Sequence, residues 1–351
     1  MHAIIPPYLL TRLATTDAPH LARAAEAARA TLAIPRVYRS GRGLIDVTVD
    51  GDSLVFEASP APERVISDAQ NGEELPGVRV RGEDDPPTDD TAVDEAFDGL
   101  GYTHRFLWDA FERSSIDGAG AALLATVHFG VAYDNAFWDG VQMVFGDGDG
   151  EVFTGFTRSV TVIAHELAHG VIDAAGGMEY IGQSGALNES VSDVVGVLTE
   201  QHRLGHTAEA ADWLIGAGIF TDAVSGVALR SMSAPGTAYD DDVLGSDPQP
   251  AHMRDYVSTT ADSGGVHINS GIPNKAFHLT ATALGGFAWE RAGRIWYDTL
   301  LGGVTGRPDF AGFAAATVTT AETLYGAASE EAAATRAAWV GVGVIDDAPT
   351  V

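Results

Sequence analysis

Val160-Thr161-Val162-Ile163-Ala164-His165-Glu166-Leu167-Ala168-His169-Gly170-Val171-Ile172-Asp173-Ala174 is the stretch on which the rest of the sequence turns. The stretch reads as helical. Set into it are two histidines four residues apart, with a glutamate after the first. On a helix that spacing puts both imidazoles on one face, with Cβ atoms about 5–6 Å apart, so that both can reach a single zinc ion. Glu166 is not needed as a ligand and can act on a water activated by the metal.

A catalytic zinc needs a third protein ligand and an open position. Downstream, Gly185-Ala186-Leu187-Asn188-Glu189-Ser190-Val191-Ser192-Asp193 continues in a helical pattern. Glu189 and Asp193 share a face there, while Val191, Val194 and Val195 lie elsewhere to pack. Glu189 completes a His, His, Glu set, and Asp193 is placed to orient one ligand imidazole. Further on, Asp262-Ser263-Gly264-Gly265-Val266-His267 sets a histidine behind a glycine pair suited to a tight loop, with Asp262 available to hold its ring. Alone, these features would read as helix histidines, an acidic helix face and a satisfied loop histidine. Beside a zinc site, His267 becomes a candidate oxyanion stabiliser.

Composition bounds the rest. The 351 residues are 45% hydrophobic and 20% charged, enough to bury a sizeable core in two or three packed units. Lys and Arg number 20 against 49 Asp and Glu, a net charge of −29. Such a surface repels nucleic acid and anionic lipid, and we expect neither as a partner. With no cysteine there is neither a disulfide nor a thiolate metal site. No apolar run approaches a membrane span, and Met1-His2-Ala3-Ile4-Ile5-Pro6-Pro7 lacks the basic start and apolar stretch of a secretory leader. The expectation is a cytoplasmic protein, or one exported by a non-classical route, and a monomer.

Along the chain, Pro6-Pro7-Tyr8-Leu9-Leu10 reads as a stiff extended opening, followed by an Ala-rich helix over 17–33 capped by Asp17 or Thr16. Residues 43–57 alternate around Asp50-Gly51 as a hairpin, and Ser59-Pro60-Ala61-Pro62 reads as a linker. Residues 83–90 read as an acidic solvated loop starting a helix over 91–114. Strands are expected over 122–131 and 142–145. Gly146-Asp147-Gly148-Asp149-Gly150 lacks the closing Glu of an EF-hand and reads as a hairpin turn. Helices are expected over 159–174, 186–204, 208–220, 271–284, 287–301, 308–324 and 329–340.

These motifs resemble the thermolysin-like neutral metallopeptidases (the M4 family) across nearly everything after Arg64. The match rests on HELAH, GALNESVSDVVG, Asn135-Ala136-Phe137-Trp138 leading into GDGDG, Leu229-Arg230-Ser231-Met232-Ser233 and SGGVHINSGIPNKAFH. The opening Pro-Pro-Tyr-x-Leu resembles the protealysin-type branch with its brief propeptide. The resemblance implies an α+β fold with a β-rich N-terminal lobe, a mainly helical C-terminal lobe and an active-site cleft between them, preceded by a small propeptide. We divide the chain accordingly into 1–60, 61–175 and 176–351. It also implies a zinc endopeptidase made as a zymogen, self-cleaved between Arg42 and Arg64. By position, His165, His169 and Glu189 match the zinc ligands and Glu166 the general base. Tyr180 and His267 match the oxyanion stabilisers, Asp262 the partner of His267, and Asp193 the partner of the first zinc histidine. Asn135, the Ala136 carbonyl and Arg230 match groups that hold substrate backbone. Phe153, Val162 and Leu229 match an apolar pocket favouring a bulky hydrophobic residue just after the cleaved bond.

Calcium is where the match departs. The family's paired site has acidic ligands where this chain has Thr161, Leu214 and Ala217, leaving Glu200 and Asp212, and a third site's Asp is Val227. Hard cations need several oxygens together, so these sites are expected to be absent or much weaker. Two other readings stand beside the endopeptidase. A zinc aminopeptidase would place Gly-x-Met-Glu-Asn before the zinc helix, whereas Gly176-Gly177-Met178-Glu179-Tyr180 comes after it. A catalytically silent zinc-stabilised binding protein would be expected to have lost the base or a ligand, and all are present.

Overall fold

A computed structural model describes residues 2–35, 49–50, 53–54 and 61–346. The chain divides into two compact units: Met1–Ala174 with Gly218–Val224, and Ala175–Ala217 with Ser225–Val351.

In the first unit the strands are β1 (His2–Ala3), β2 (Val49–Asp50), β3 (Ser53–Leu54), β4 (Arg64–Asp68), β5 (Val78–Gly82), β6 (Leu123–Val127), β7 (Ala136–Trp138) and β8 (Met143–Phe145). The helices are α1 (Pro7–Ala14), α2 (Ala22–Ala33), α3 (Thr91–Phe111) and α4 (Val160–Ala174). Six strands form one mixed sheet in the order β1-β7-β8-β6-β4-β5. β4, β6 and β8 run parallel, while β5 and β7 pair antiparallel at either side. The first strand of the chain is therefore an edge strand, antiparallel to β7 with His2 opposite Trp138 and Ala3 opposite Phe137. Ala3 joins a buried cluster with Phe129, Tyr133, Phe137 and Val144, against which Ile34 also packs. Residues from the N-terminal segment thus complete a core made mostly of later ones.

The Pro6-Pro7 opening is helical from Pro7 rather than extended. Proline is tolerated at the first helical turn because its missing N–H would be unpaired there anyway, and Leu9, Leu10 and Leu13 bury the resulting face. The helix expected over 17–33 begins with a separate 3-10 turn, Pro19–Leu21, and neither Thr16 nor Asp17 caps α2. Its free amide end is met from afar: Glu151 Oε2 accepts from Ala24 N at 3.0 Å, and Glu151 Oε1 from Arg23 Nε at 2.7 Å. Of the 43–57 hairpin, the described part pairs Val49 with Leu54 and Asp50 with Ser53; the remainder lies outside the described residues, as do Ser59 and Pro60 of the linker.

The acidic loop is tied down rather than free. Asp90 caps α3 through Ala92 N, Asp94 receives Arg81 at 2.6 Å, and Glu83 receives Arg64. The guanidiniums of Arg64 and Arg81 each lie 3.7 Å from the Phe97 ring centroid. In GDGDG, Asp149 folds the chain on itself by accepting from Val152 N at 2.6 Å, and both Asp147 oxygens lie 2.9 Å from His128 Nδ1.

In the second unit the helices are α5 (Gly182–Leu204), α6 (Asp262–Asn269), α7 (Gly271–Leu284), α8 (Ala292–Leu301), α9 (Phe310–Tyr325) and α10 (Glu330–Gly341). Two short ribbons accompany them: β9 (Leu214–Ile215) with β10 (Arg230–Ser231), and β11 (Asp240–Asp241) with β12 (Gly245–Ser246). Trp296 and Trp339 stack at 6.0 Å in its core, with Phe313 edge-on to both. The helix expected over 208–220 does not form. Asp212 Oδ1 accepts from Leu214 N in a local turn, Trp213 takes a left-handed φ of 60°, and Leu214–Ile215 is drawn into the ribbon with Arg230–Ser231.

Candidate active site

His165, Glu166 and His169 are wholly buried on α4. The two imidazoles stand perpendicular with centroids 4.8 Å apart, and their Nε2 atoms are separated by 3.2 Å. Two zinc–nitrogen bonds of about 2.0–2.1 Å at a tetrahedral angle place their nitrogens about 3.3–3.4 Å apart, so this donor pair fits one zinc ion. α4 is fixed against β7: Trp138 Nε1 donates to Asp173 Oδ2 at 3.0 Å, and Gly170 lets the helix sit on the Trp138 ring, which a Cβ would meet at 3.1 Å.

Ala136, which opens β7, and Asn135 just before it are the residues assigned to substrate backbone in this unit, and both already hold peptide. Ile4 N donates to the Ala136 carbonyl at 3.1 Å. Asn135 grips Ile5 at both ends, accepting from its N–H at 2.9 Å and donating to its carbonyl at 3.1 Å. Phe153 is buried between Phe156 and Phe220, with centroids 5.9 Å and 5.7 Å away, and Val162 is buried on α4.

In the second unit, Glu189 and Asp193 are wholly buried on α5. The Tyr180 hydroxyl donates to Glu189 Oε1 and lies 3.2 Å from His267 Nε2. That nitrogen is 3.6 Å from Glu189 Oε2. His267 sits in a short helix that follows the tight reversal expected of the glycine pair. The helix opens with four left-handed residues, Asp262, Ser263, Gly264 and Gly265, at φ between 50° and 91°. This reversal lets Asp262 reach forward, accepting from His267 N at 2.9 Å and meeting its Nδ1 at 2.6 Å. Burial disfavours a charged His267, but the carboxylates of Asp262 and Glu189 outweigh it and raise its pKa.

Arg230 and Asp193 form a buried two-pronged pair at 2.9 Å and 2.7 Å, with Asn274 Nδ2 donating to the same carboxylate at 2.8 Å. The residue before Arg230, Leu229, is buried against Gly216, where a Cβ would meet its Cδ1 at 2.6 Å. Each predicted site residue is thus placed within its own unit: the histidine pair, Glu166, Asn135, Ala136, Phe153 and Val162 in the first, and Glu189, Asp193, Tyr180, Asp262, His267, Arg230 and Leu229 in the second. Sequence reasoning missed Asn274, although it lies in a quoted motif, and it missed His2. The His2 ring stacks on His169 with centroids 4.1 Å apart at 25°, through a pairing that has no local signature.

Comparison with known proteins agrees with these groupings. Residues 45–173 match the family described as thermolysin metallopeptidase, catalytic domain, and residues 176–344 match its alpha-helical domain. The chain is 49% identical to an extracellular metalloprotease of Pectobacterium carotovorum over 85% of this chain and 84% of that one. It is 50% identical to protease PrtS of Photorhabdus over 80% and 76% of the two chains. Among solved structures, the precursor of protealysin, a metalloproteinase from Serratia proteamaculans, superposes with a TM-score of 0.88 at 48% identity, covering 98% of this chain and 100% of that one. The chain belongs to the thermolysin metallopeptidase family and is a zinc metalloendopeptidase.

Proposed function

We propose that His165, His169 and Glu189 hold zinc, and that Glu166 takes a proton from the attacking water and returns it to the leaving amine. When bound, zinc supplies Lewis-acid polarisation of the scissile carbonyl and of the water. His267, oriented by Asp262, and Tyr180 donate to the developing oxyanion. Asp193 orients a zinc-binding imidazole while anchoring Arg230, which with Asn135 and the Ala136 carbonyl holds substrate backbone. The buried apolar side chains Phe153, Val162 and Leu229 support a preference for a bulky hydrophobic residue just after the cleaved bond. The charge of −29 favours neutral or basic substrates at low salt. The protein acts as a monomer.

Residues 1–60 are the propeptide, 61–175 the β-rich catalytic lobe and 176–351 the helical lobe. The observation that carries the zymogen reading is the pairing of Ile4 with the Ala136 carbonyl and of Ile5 with the Asn135 side-chain amide, where the segment occupies groups assigned to substrate backbone. The paired calcium site is lost or weak. In support, Thr161 Oγ1 lies 2.9 Å from Ser159 Oγ, Glu200 is taken by Arg203 at 2.7 Å, and Asp212 holds Leu214 N. Intact-mass and N-terminal sequencing over time, on zinc-loaded wild type beside Glu166→Ala, test the assignment. Wild type alone should lose the segment ahead of the β-rich lobe and then cut a Leu-containing peptide. If both chains stay whole and neither cuts, the roles given to Glu166 and the propeptide are wrong.

A further inference from the structure

The imidazole of His267 is held on its Nδ1 side by Asp262, while Nε2 faces Tyr180 and Glu189. The reversal that leads to it runs through four left-handed residues, and two of them, Asp262 and Ser263, are not glycine. Such residues persist there only where their surroundings over-determine them. Two amide side chains supply that from beyond the reversal. Asn269 ties the end of α6 to Val257, accepting from its N–H and donating to its carbonyl, each at 2.9 Å. Gln249 grips His267 itself. Its Nε2 donates to the His267 carbonyl at 2.8 Å and to Ser270 Oγ at 3.0 Å, and that hydroxyl donates to the same carbonyl at 3.1 Å. A carbonyl can only accept, so the amide nitrogen must face it.

Gln249 is itself held firmly. It is 4% exposed and lies between Pro248 and Pro250, and the following proline confines its backbone to extended conformations. Its N–H donates to Asp247 Oδ1 at 3.0 Å, and Asp247 Oδ2 accepts from Gly236 N at 3.1 Å and Ala238 N at 3.2 Å. Gly271 packs so closely that a Cβ there would lie 3.0 Å from Gln249 Cβ.

Resting on the oxyanion role given to His267 above, we propose that Gln249 is a positioning residue for the reaction, fixing the His267 ring through its backbone carbonyl. Asp262 orients the ring, and Gln249 sets where the residue that bears it stands. Supporting side chains locked by packing hold such groups to about 0.5 Å, and a misplacement of about 1 Å can cost about a hundredfold in rate.

The test compares the zinc-loaded wild type with Gln249→Met, His267→Ala and the double variant, each checked for folding by thermal unfolding and for zinc content. Gln249→Met should lower kcat about tenfold or more and leave KM nearly unchanged. Gln249→Asn, which keeps the amide but stops one methylene short of the carbonyl, should give a smaller loss of the same kind and serves if the Met variant does not fold. In the His267→Ala background Gln249→Met should lower kcat no further, because the two residues act as one unit. With labelled histidine, the downfield proton that His267 Nδ1 shares with Asp262 should move and exchange faster in the Gln249 variants. Equal kcat losses in both backgrounds with that resonance unmoved would overturn the inference and make Gln249 a packing residue. If His267→Ala itself leaves kcat unchanged, the oxyanion role of His267 fails, and the resonance alone then decides whether Gln249 holds the ring.

Discussion

Gly185 of α5 lies so close to Val266 of α6 that a Cβ on the glycine would fall 2.4 Å from Val266 Cγ1. Four residues after Gly185 comes Glu189, and next to Val266 comes His267. This close approach holds together the two helices that carry these side chains, both given roles in the proposed mechanism. Gly185→Ala should cost about 1–3 kcal/mol by overpacking and lower kcat more than it raises KM. Adding Val266→Ala should recover much of both. Thermal unfolding and peptide kinetics on the single and double variants check this, and simple additivity would refute the coupling.

Asn135→Ala strips Ile5 of both backbone partners. With a buried unpaired group costing about 1–3 kcal/mol, the intact precursor should melt lower and process faster. The mature enzyme should lose far less stability while its KM rises. An equal loss in both forms would show that the amide serves the sheet and not the segment.

Removing one partner of the buried Arg230–Asp193 pair leaves a charge without its counter-ion. Asp193→Ala should destabilise by about 3–5 kcal/mol. Arg230→Met should cost a similar amount, and the double variant much less than the sum. Chemical denaturation of the four proteins gives the cycle directly.

Asp134 is wholly buried, with Thr31 Oγ1 accepting from its backbone N–H at 3.0 Å. Burial, then the charge of Asp149, push its pKa up from 3.8 to about 9. Because the folded value lies above the unfolded one, its contribution to stability is complete below about pH 4 and is lost as pH rises toward about 9. Asp134→Asn keeps a neutral hydrogen-bonding group, so its stability relative to wild type should climb across that window. The climb cannot exceed about 1.4 kcal/mol per pH unit. A difference independent of pH would show that Asp134 is charged in the folded protein.

A calcium-selective chelator should leave the melting temperature of the zinc-loaded protein unchanged, whereas a zinc-selective one should abolish activity. Marked destabilisation by calcium removal would restore a hard-cation site that Thr161, Leu214 and Ala217 argue against.

What the sequence determined by itself was whatever local spacing encodes. A helical repeat fixes which residues share a face, so His165 with His169 and Glu189 with Asp193 were legible, as were α4, α5, α7, α9 and α10 within a few residues. Asp262 and His267 were legible as partners from a glycine pair suited to a tight loop, although the short helix that follows the left-handed run was not. Tertiary structure decided the rest, because a distant pairing leaves no periodic mark on the chain. A ribbon with Arg230–Ser231 took Leu214–Ile215 out of an expected helix. The carboxylate of Glu151 supplied the cap that Thr16 and Asp17 did not. The register of a two-residue strand on β7 carried His2 onto His169 of α4.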